Sequence, residues 1–447
     1  MPAYLGSAIA QSDPGEGDEM AFAAPAAFTT GVSAAYRGRL SFEIMTSVQR
    51  FAPSRPGVRL SGLTSGGPLV LEIRLAPPMR ANVFLTYEVH LNENQPWEVV
   101  GQSRPPSAQE FREVMAGLTD LRILVDADED DDESEMSALD SVRLDPAIVR
   151  VHILAGQSNM AGCNDVRNVD PAWSMPRHEV MLYWGNAPAP AFGPLEPGTS
   201  ATSCSNPDPE FYFGPELAFG DELSALYPND QLAFIKFAVG GTDLFSQWTT
   251  PTGPNGEFPN GGPLWIALKQ HIDDARADLV ALGYVHQIDG FIWMQGESDA
   301  DKRFRANAYQ SKLTNFIASM RSHTGRPDMP FVLGRIRNAG QPHAQTVRDA
   351  QVAVASADPN TCWFDTDDLP WLPDGIHYDD PSMLVLGQRF ASALYPFLTP
   401  YGDVNRDGRS DVDDLYDWTQ NPADLNCDGL ADQADFEIVI QAVRAEE

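Results

Sequence analysis

The chain has 447 residues, of which 43% are hydrophobic and 21% charged, a composition typical of a folded protein with two or three domains. Its formal net charge of -33 disfavours nucleic acid and anionic membrane surfaces as partners, because both repel a strongly acidic protein. No stretch is long and apolar enough to span a bilayer, so we expect no membrane insertion.

Residues 1–18 are interpreted as the remainder of a signal peptide or as a linker. They lack the basic start of a complete signal peptide, but Ala8-Ile9-Ala10 has the small-x-small form of a signal cleavage site. The chain has four cysteines and no C-x-x-C pair, which argues against a cysteine-rich zinc site. Cys163 and Cys204 either form a disulfide in an exported protein or remain buried free thiols.

Residues 19–146 predict an antiparallel β-sandwich. Their apolar and polar residues alternate in four segments that are rich in β-branched and aromatic side chains: 37–47, 67–76, 82–91 and 120–128. Turn residues separate these segments at short intervals, as in a sandwich. A capping box from Ser107 to Glu110 predicts one helix. The acidic run 126–135 is interpreted as a solvated loop, with a calcium site as the minority alternative because it contains no glycine.

The same segment resembles the laminin B (laminin IV type A) domain of extracellular proteins. The matching pieces are FAAPAAFTTGVSAAYRGRLSFEI, PSAQEFREVMAGLTDLRIL and the closing LDSVRL. The resemblance implies a β-sandwich, which either binds sugar or serves as a packing or spacer module.

Residues 147–400 predict an α/β domain. Short apolar runs alternate with longer amphipathic stretches, and the runs are expected to be strands: 148–156, 231–240, 289–296 and 330–336. Strands that are apolar on both faces and separated by helices indicate a parallel sheet covered on both sides. Ligands bind such sheets beyond the carboxyl ends of the strands.

Three residues of this domain form a candidate catalytic triad. Ser158 follows the first strand, and Asp374 lies three residues before His377 in PDGIHYDD. A serine hydroxyl needs a base within hydrogen-bond reach, and a histidine base needs a carboxylate that fixes its tautomer. The pattern predicts acyl transfer with Ser158 as the nucleophile. GQSNM lacks the G-x-S-x-G frame of α/β-hydrolases, which disfavours that family.

The oxyanion of such a reaction needs preorganised N–H donors. The candidates are the backbone N–H of Ser158, a backbone N–H from Gly240 or Gly241, and the side-chain amide of Gln295. Glycine at 240 and 241 lets the main chain approach a substrate without a Cβ in the way. No metal is expected to take part in this chemistry.

Five motifs resemble the sialate O-acetylesterase and carbohydrate esterase family 6 group of the SGNH hydrolases. They are GQSNM, GGTDLFSQW, WMQGESDA, FDTDDLP and DGIHY. The resemblance implies a flavodoxin-like parallel sheet and carbohydrate O-acetylesterase activity. SGNH enzymes generally use an asparagine as the third oxyanion donor, where this chain has Gln295. Glu297 and Asp299 are expected to hold their loop in shape.

Residues 401–447 contain the frame D-x-N-x-D-G-x-x-D-x-x-D twice. It supplies oxygen ligands and a glycine at the sixth position, which is the pattern of an EF-hand calcium loop. The candidate ligands of the first loop are Asp403, Asn405, Asp407, Asp411, Asp414 and the carbonyl of Arg409. Those of the second loop are Asp424, Asn426, Asp428, Asp432, Asp435 and the carbonyl of Leu430.

This repeat resembles a type I dockerin. The resemblance implies a small α-helical EF-hand-like domain with structural Ca²⁺, and a cohesin-like protein as a candidate partner. Helices are expected after each loop, in LYDWTQNPA and FEIVIQAV. Because Asn421-Pro422 breaks the first of them early, calcium-stabilised folding without a cohesin partner stays open as an alternative.

The sequence as a whole predicts a multidomain protein, secreted or at the cell surface, that removes acetyl groups from an acetylated polysaccharide or a sialoglycan. The alternative is a non-catalytic extracellular glycan-binding or adhesion protein that retains an esterase fold. Ser158, Asp374 and His377 are all present, which favours the enzyme.

Overall fold

The structure, a computed structural model, describes residues 9–12, 21–29, 32–46, 56–76, 79–125, 136–184, 190–198, 208–399, 402–405 and 409–446. The chain divides into two compact units. The first contains residues Met1–Val149, Pro228–Gln231 and Leu279–Val285, and the second contains the rest. No helix in the described ranges is long and apolar enough to cross a membrane.

The first unit consists mainly of β-strands. Its described elements are β1 Ile9–Ser12, β2 Ala21–Ala23, β3 Arg39–Thr46, β4 Gly57–Thr64, β5 Gly67–Arg74, β6 Leu85–His90, β7 Glu98–Val99, helix α1 Ala108–Ala116, β8 Leu118–Leu124 and β9 Met136–Asp145. The strands form two antiparallel sheets with the orders β1-β9-β3-β6 and β2-β8-β4-β5-β7.

Side chains from both sheets form one hydrophobic core. Along β3, Leu40, Phe42 and Ile44 are buried while the residues between them are partly exposed. This period of two is that of a strand with one buried face. Leu60 of β4 and Leu71 of β5 bring the second sheet into the same core. Two antiparallel sheets around one core agree with the β-sandwich that the sequence predicts.

The helix of this unit begins where the sequence places it. The Ser107 side chain accepts a hydrogen bond from the backbone N–H of Glu110 at 3.2 Å, and the Glu110 carboxylate accepts one from the backbone N–H of Ser107 at 2.8 Å. Residues 9–12, interpreted from the sequence as signal segment or linker, instead pair with β9 as β1. So short a strand offers too little alternation to be recognised. The acidic run 126–135 lies outside the described residues.

The second unit contains strands and helices in alternation. Its strands are β10 Ile148–Gly156, β11 Asn164–Asp165, β12 Arg177–Trp184, β13 Phe192–Leu195, β14 Tyr212–Phe213, β15 Gln231–Ala238, β16 Val285–Met294, β17 Phe331–Gly334 and β18 Thr361–Phe364. Its helices are α2 Ser158–Ala161, α3 Glu216–Leu226, α4 Pro263–Ala281, α5 Arg303–Thr324, α6 Ala344–Ser356, α7 Asp380–Leu394, α8 Val412–Gln420 and α9 Gln433–Glu446.

Seven of these strands form a sheet with the order β13-β12-β15-β10-β16-β17-β18. The pairs β12–β15, β16–β17 and β17–β18 are parallel, while β13 is an antiparallel edge strand. All eight residues of β15 are buried, as expected for a strand covered on both faces. These features confirm the predicted α/β architecture. The four strands predicted here are present, whereas the other three strands of this sheet, β12, β13 and β18, were missed.

The strand order fixes where a ligand site is expected. The chain runs from β15 on one side of β10 to β16 on the other, so β10 lies at a point where the strand order reverses. In open α/β sheets, the crevice beyond the carboxyl ends at such a point is the usual ligand site. The loops that follow β10, β15 and β16 meet there.

The two helices expected in the C-terminal segment, α8 and α9, are present. Their contacts group this segment with the parallel-sheet unit. A disulfide joins Cys427 of the second predicted calcium loop to Cys362 of β18. Gly429 lies against Trp363, since a Cβ there would be 2.4 Å from the indole ring. The second loop is therefore fixed to the edge of the sheet.

Cys163 is also disulfide-bonded, so the alternative of a free thiol is wrong for this residue. Cys204, its predicted partner, lies outside the described residues. The described part of the chain contains no free cysteine.

Candidate active site

Ser158 is the first residue of α2, directly beyond the end of β10. Gly156, the last residue of β10, has a φ of +150°. A Cβ at this position would lie 2.1 Å from the carbonyl oxygen of Met294, so only glycine fits where β10 passes the end of β16. The tight turn into Ser158 therefore follows from the packing of two adjacent strands.

Asp374 and His377 lie in one turn. His377 Nδ1 is 2.7 Å from Asp374 Oδ2, and Asp374 Oδ1 accepts hydrogen bonds from the backbone N–H groups of Ile376 at 2.9 Å and His377 at 3.0 Å. Burial raises the pKa of the Asp374 carboxyl, but the hydrogen bonds from His377 and the backbone outweigh it, and the pKa is lowered. The carboxylate holds Nδ1, which leaves Nε2 of His377 for proton transfer.

A cavity of about 970 Å³ brings the predicted residues together. Ser158, Gly240, Gly241, Asp374 and His377 all line it. No hydrogen bond joins Ser158 to His377 in the described residues. Catalytic hydrogen bonds are commonly long without substrate and tighten in the complex, so this gap is compatible with a nucleophile and its base.

Three residues that line the cavity, Ser158, Gly240 and Gly241, offer backbone N–H groups. A Cβ on Gly240 would lie 3.5 Å from Cβ of Ser158, which places the turn after β15 against the nucleophile. Gly241 has a φ of +70°, a conformation that favours glycine. Within the described ranges, the N–H groups of Ser158, Gly240 and Gly241 have no acceptor. They are free to receive a negatively charged oxygen.

The structure does not bring Gln295 into this cavity. Gln295 is fully buried, and its Nε2 donates to the carbonyl oxygen of Thr242 at 2.9 Å and to Asp299 Oδ2 at 2.7 Å. A primary amide has two N–H bonds, and these two acceptors engage both. The expectation that Gln295 donates to the oxyanion is contradicted because its donors are already committed.

Asp299 belongs to the same hydrogen-bond network as Gln295. Its carboxylate accepts hydrogen bonds from the backbone N–H groups of Leu244 at 2.7 Å and Phe245 at 3.1 Å. Burial raises the pKa of Asp299 to about 6. Asp299 and Gln295 together fix the turn that carries Gly240 and Gly241, in line with the structural role expected for Asp299.

Asn159 connects the serine turn to the histidine turn. Its Nδ2 donates to Glu297 Oε1 at 2.8 Å and to the carbonyl oxygen of Ile376 at 3.2 Å, and its Oδ1 accepts from the backbone N–H of Tyr378 at 3.4 Å. Ile376 and Tyr378 flank His377. A single side chain thus holds the turn of the candidate base next to the nucleophile.

Glu297 lines the cavity, although the sequence indicated only a structural role. Burial raises the pKa of its carboxyl, and hydrogen bonds from the backbone and from the Asn159 side chain oppose that rise. The second oxygen of Glu297 is buried and has no partner in the described part of the chain. The sequence indicated that Glu297 lies at the carboxyl edge of the sheet, because it follows β16 closely, next to Gln295.

The two predicted calcium loops share one hydrogen-bond pattern. Asp414 accepts from the backbone N–H groups of residues 404, 405 and 411 at 2.7, 2.9 and 2.8 Å. Asp435 accepts from those of residues 425, 426 and 432 at 2.7, 2.9 and 2.9 Å. Asp407 lies outside the described residues. Across the described ranges, no group of three or more His, Cys, Asp or Glu residues is arranged to hold a metal ion.

The sequence matches two family models. Residues 21–157 match laminin B (domain IV), and residues 148–396 match the model described as carbohydrate esterase, sialic acid-specific acetylesterase. A probable carbohydrate esterase of Arabidopsis thaliana is 24% identical over 262 residues, which cover 55% of this chain and 89% of that protein.

Solved structures with similarity to the chain include an Arabidopsis thaliana protein at 20% identity and a TM-score of 0.45, covering 56% of this chain and 98% of its own. A carbohydrate acetylesterase from Xanthomonas citri is similar at 14% identity and a TM-score of 0.43, and the match covers 79% of this chain and 71% of that protein. The L4b domain of human laminin alpha-2 is similar at 16% identity and a TM-score of 0.26, covering 29% and 71%. These TM-scores are too low to carry an argument. The esterase model, in contrast, matches more than half of the sequence, and the chain therefore belongs to the carbohydrate esterase, sialic acid-specific acetylesterase family.

Proposed function

We propose that the protein is a secreted carbohydrate O-acetylesterase that acts through an acetyl-enzyme on Ser158. The observation that carries this proposal is the convergence of Ser158, the hydrogen-bonded pair His377–Asp374 and the free N–H groups of Gly240 and Gly241 on one cavity. These are the parts that acyl transfer requires: a nucleophile, an oriented base and donors for the oxyanion.

In the proposed reaction, Nε2 of His377 takes the proton of Ser158 as Oγ attacks the acetyl carbonyl carbon. The carbonyl oxygen becomes an oxyanion and accepts hydrogen bonds from the N–H groups around Ser158. The intermediate collapses, the sugar oxygen leaves with the proton held on His377, and an acetyl-serine remains. Water, deprotonated by His377, attacks this ester; Ser158 Oγ leaves with that proton, and the released acetic acid ionises to acetate. Asp374 keeps the imidazole in the required tautomer and stabilises its charged form.

The charges that line the cavity favour a neutral glycan as the substrate. Its acidic side chains are those of Glu297, Asp301 and Asp374, and no Lys or Arg is among the lining residues of the described chain. Segments 185–189 and 199–207, which lie outside the described residues, contain no Lys, Arg or His either. A sugar carboxylate would be repelled here, so we propose an acetylated neutral polysaccharide rather than a sialoglycan.

The proposed mechanism is tested with Ser158→Ala. Wild type is expected to hydrolyse p-nitrophenyl acetate and to release acetate from acetylated xylan, and the variant is expected to lose on the order of 10³-fold or more in kcat/KM. Mass spectrometry of the quenched wild type should find an acetyl group on Ser158. Ser311→Ala, an exposed serine of α5, is the matched control and should keep full activity.

Two results would contradict the proposed mechanism, and the first of them would favour a glycan-binding protein without catalysis. One is a folded wild type that releases no acetate from any ester. The other is turnover that persists unchanged in Ser158→Ala, which would mean that a different group carries the reaction.

The C-terminal repeat is proposed to bind structural Ca²⁺. Its donors are carboxylate, amide and carbonyl oxygens, the ligands that Ca²⁺ prefers, and Gly429 at the sixth position of the second loop has a φ of +90° for the sharp turn. The side chains of Asp424, Asn426, Asp428, Asp432 and Asp435, with their counterparts in the first loop, would hold the ion. The ion would order the loop without entering the reaction.

Secretion is proposed on three grounds: the laminin B match, which is typical of extracellular proteins, the bonded cysteines, and the calcium repeat. A cohesin-like partner stays a prediction from the sequence. The bond between Cys427 and Cys362 commits one side of the second loop to β18.

A further inference from the structure

We infer that the side-chain amide of Gln157 is the third donor to the oxyanion, in the role that the sequence assigned to Gln295. This inference rests on the proposed acetylesterase function. Gln157 lies between Gly156 and the nucleophile Ser158, lines the cavity and is 2% exposed. Its main chain is fixed, since its N–H donates to the carbonyl oxygen of Met294 at 2.9 Å and its carbonyl accepts from Ala161 at 2.8 Å.

The hydrogen bonds of Gln157 fix which end of its amide is the oxygen. Its Oε1 is 3.4 Å from the backbone N–H of Gly296 and 3.3 Å from Nε2 of Gln295. A backbone N–H can only donate, so the atom that faces Gly296 must be the acceptor. The NH₂ group of Gln157 is therefore the opposite end of the amide, away from Gly296.

That NH₂ group is unused. In the described part of the chain, Nε2 of Gln157 has no hydrogen-bond partner. It is not sealed off from solvent. Because Gln157 is almost wholly buried and lines the cavity, this access is through the cavity. Two N–H donors are thus available beside Ser158.

Gln295 then acts as a positioning residue for all the donors. It holds the carbonyl of Thr242, which closes the turn of Gly240 and Gly241, and its amide also lies against Oε1 of Gln157. One buried side chain thereby contacts both the turn that carries the backbone donors and the amide of Gln157. Preorganised donors of this kind are worth most when they meet the charge that develops in the transition state.

The test uses Gln157→Glu and Gln157→Met in the full chain. Glutamate keeps an oxygen for Gly296 and removes both donors, and methionine removes donors without adding charge. We expect kcat on p-nitrophenyl acetate to fall on the order of 10²- to 10³-fold, as for loss of other oxyanion donors, with KM within about threefold of wild type. The Ki of a trifluoromethyl ketone, whose hemiketal oxyanion mimics the intermediate, should rise by the same factor as kcat/KM falls.

Gln310→Glu, an exposed glutamine of α5, makes the same chemical change away from the cavity and should behave as wild type. The inference is overturned if Gln157→Glu or Gln157→Met folds and retains the kcat of wild type. It is equally overturned if activity falls while the Ki of the ketone stays constant, since that result marks a merely structural residue. Activity that survives in Ser158→Ala would instead overturn the proposed function, so the two failures are distinguishable.

Discussion

The cavity and the C-terminal repeat differ in whether their backbone N–H groups have hydrogen-bond acceptors. Around Ser158, the N–H groups of Gly240 and Gly241 meet no acceptor in the described chain. In the second repeat loop, the N–H groups of Leu425 and Asn426 both donate to Asp435. Gly240 and Gly241 are exposed and line the cavity beside the nucleophile, so their free donors can be reached by the oxygen of a bound ligand.

The carboxylates of the two regions also differ, in their exposure and in their hydrogen-bond partners. Asp374 is half-exposed and hydrogen-bonds a histidine, whereas Asp414 and Asp435 are buried and accept hydrogen bonds from the backbone of their own loops. Groups at the cavity are therefore expected to govern turnover with little effect on folding. Groups in the repeat are expected to govern stability with little effect on turnover.

The largest effect is expected for His377→Ala. This change removes the base, and kcat/KM on p-nitrophenyl acetate should fall on the order of 10³- to 10⁴-fold. The melting temperature should stay close to that of wild type, because the ring is 40% exposed and, among the described residues, its side chain hydrogen-bonds Asp374 alone. His323→Ala is the matched control, since it removes another histidine–aspartate pair, with Asp273 at 3.1 Å. Equal losses in both variants would contradict a specific role of His377.

The second effect concerns the disulfide between Cys362 and Cys427. Replacing both with alanine opens a loop of sequence separation 65, and the chain-entropy model gives a loss of about 4 kcal/mol in the free energy of unfolding. Urea unfolding measures this loss. Below the transition, kcat/KM of the variant should equal that of wild type. A catalytic loss in the folded variant would mean that β18 and the cavity are coupled, and that the repeat affects turnover as well as stability.

Calcium is expected to act at the same place with a smaller effect. Titration with Ca²⁺ after treatment with EGTA should raise the melting temperature of wild type. At a hundredfold excess of Ca²⁺ over Kd, each occupied site adds about 2.7 kcal/mol to the free energy of unfolding. The double variant Asp424→Asn, Asp428→Asn should lose the part of this rise that comes from the second loop. Asp413→Asn, an exposed aspartate of α8 outside the ligand frame, should keep it. A wild-type melting temperature that does not respond to Ca²⁺ would rule out the proposed sites.

The strand ends of the parallel sheet could be read from the sequence because each apolar run stops abruptly at small or polar residues. Ser158 and Gly240 follow such runs directly, and topology alone brings them together. Asp374 and His377 could be paired because three residues of turn return the carboxylate to the ring. These inferences depend only on periodicity and short-range geometry.

The sequence could not indicate which way a side chain at a strand end points. Gln295 and Gln157 are both glutamines at the edge of the sheet, yet only Gln157 lines the cavity, because Asp299 lies four residues after Gln295 and accepts its amide. The partner of Cys362 was equally out of reach, because no local pattern relates it to Cys427. Long-range contacts of this kind are set by packing and leave no periodic signal.

The smallest effect tests the charge of the cavity. Asp301 lines it and is exposed, so Asp301→Asn removes one negative charge without touching the triad. An acetylated methyl glucuronoside and the matching methyl glucoside differ by one carboxylate, and wild type should prefer the neutral glucoside. Removing a like charge near 4 Å in water is worth about 1 kcal/mol, so the variant should gain about fivefold in relative kcat/KM on the glucuronoside. Added salt should shrink this gain by screening, and Asp349→Asn on α6 should not produce it. A wild type that prefers the glucuronoside would show that a cation reaches the substrate from another part of the protein, and would return an anionic glycan as the substrate.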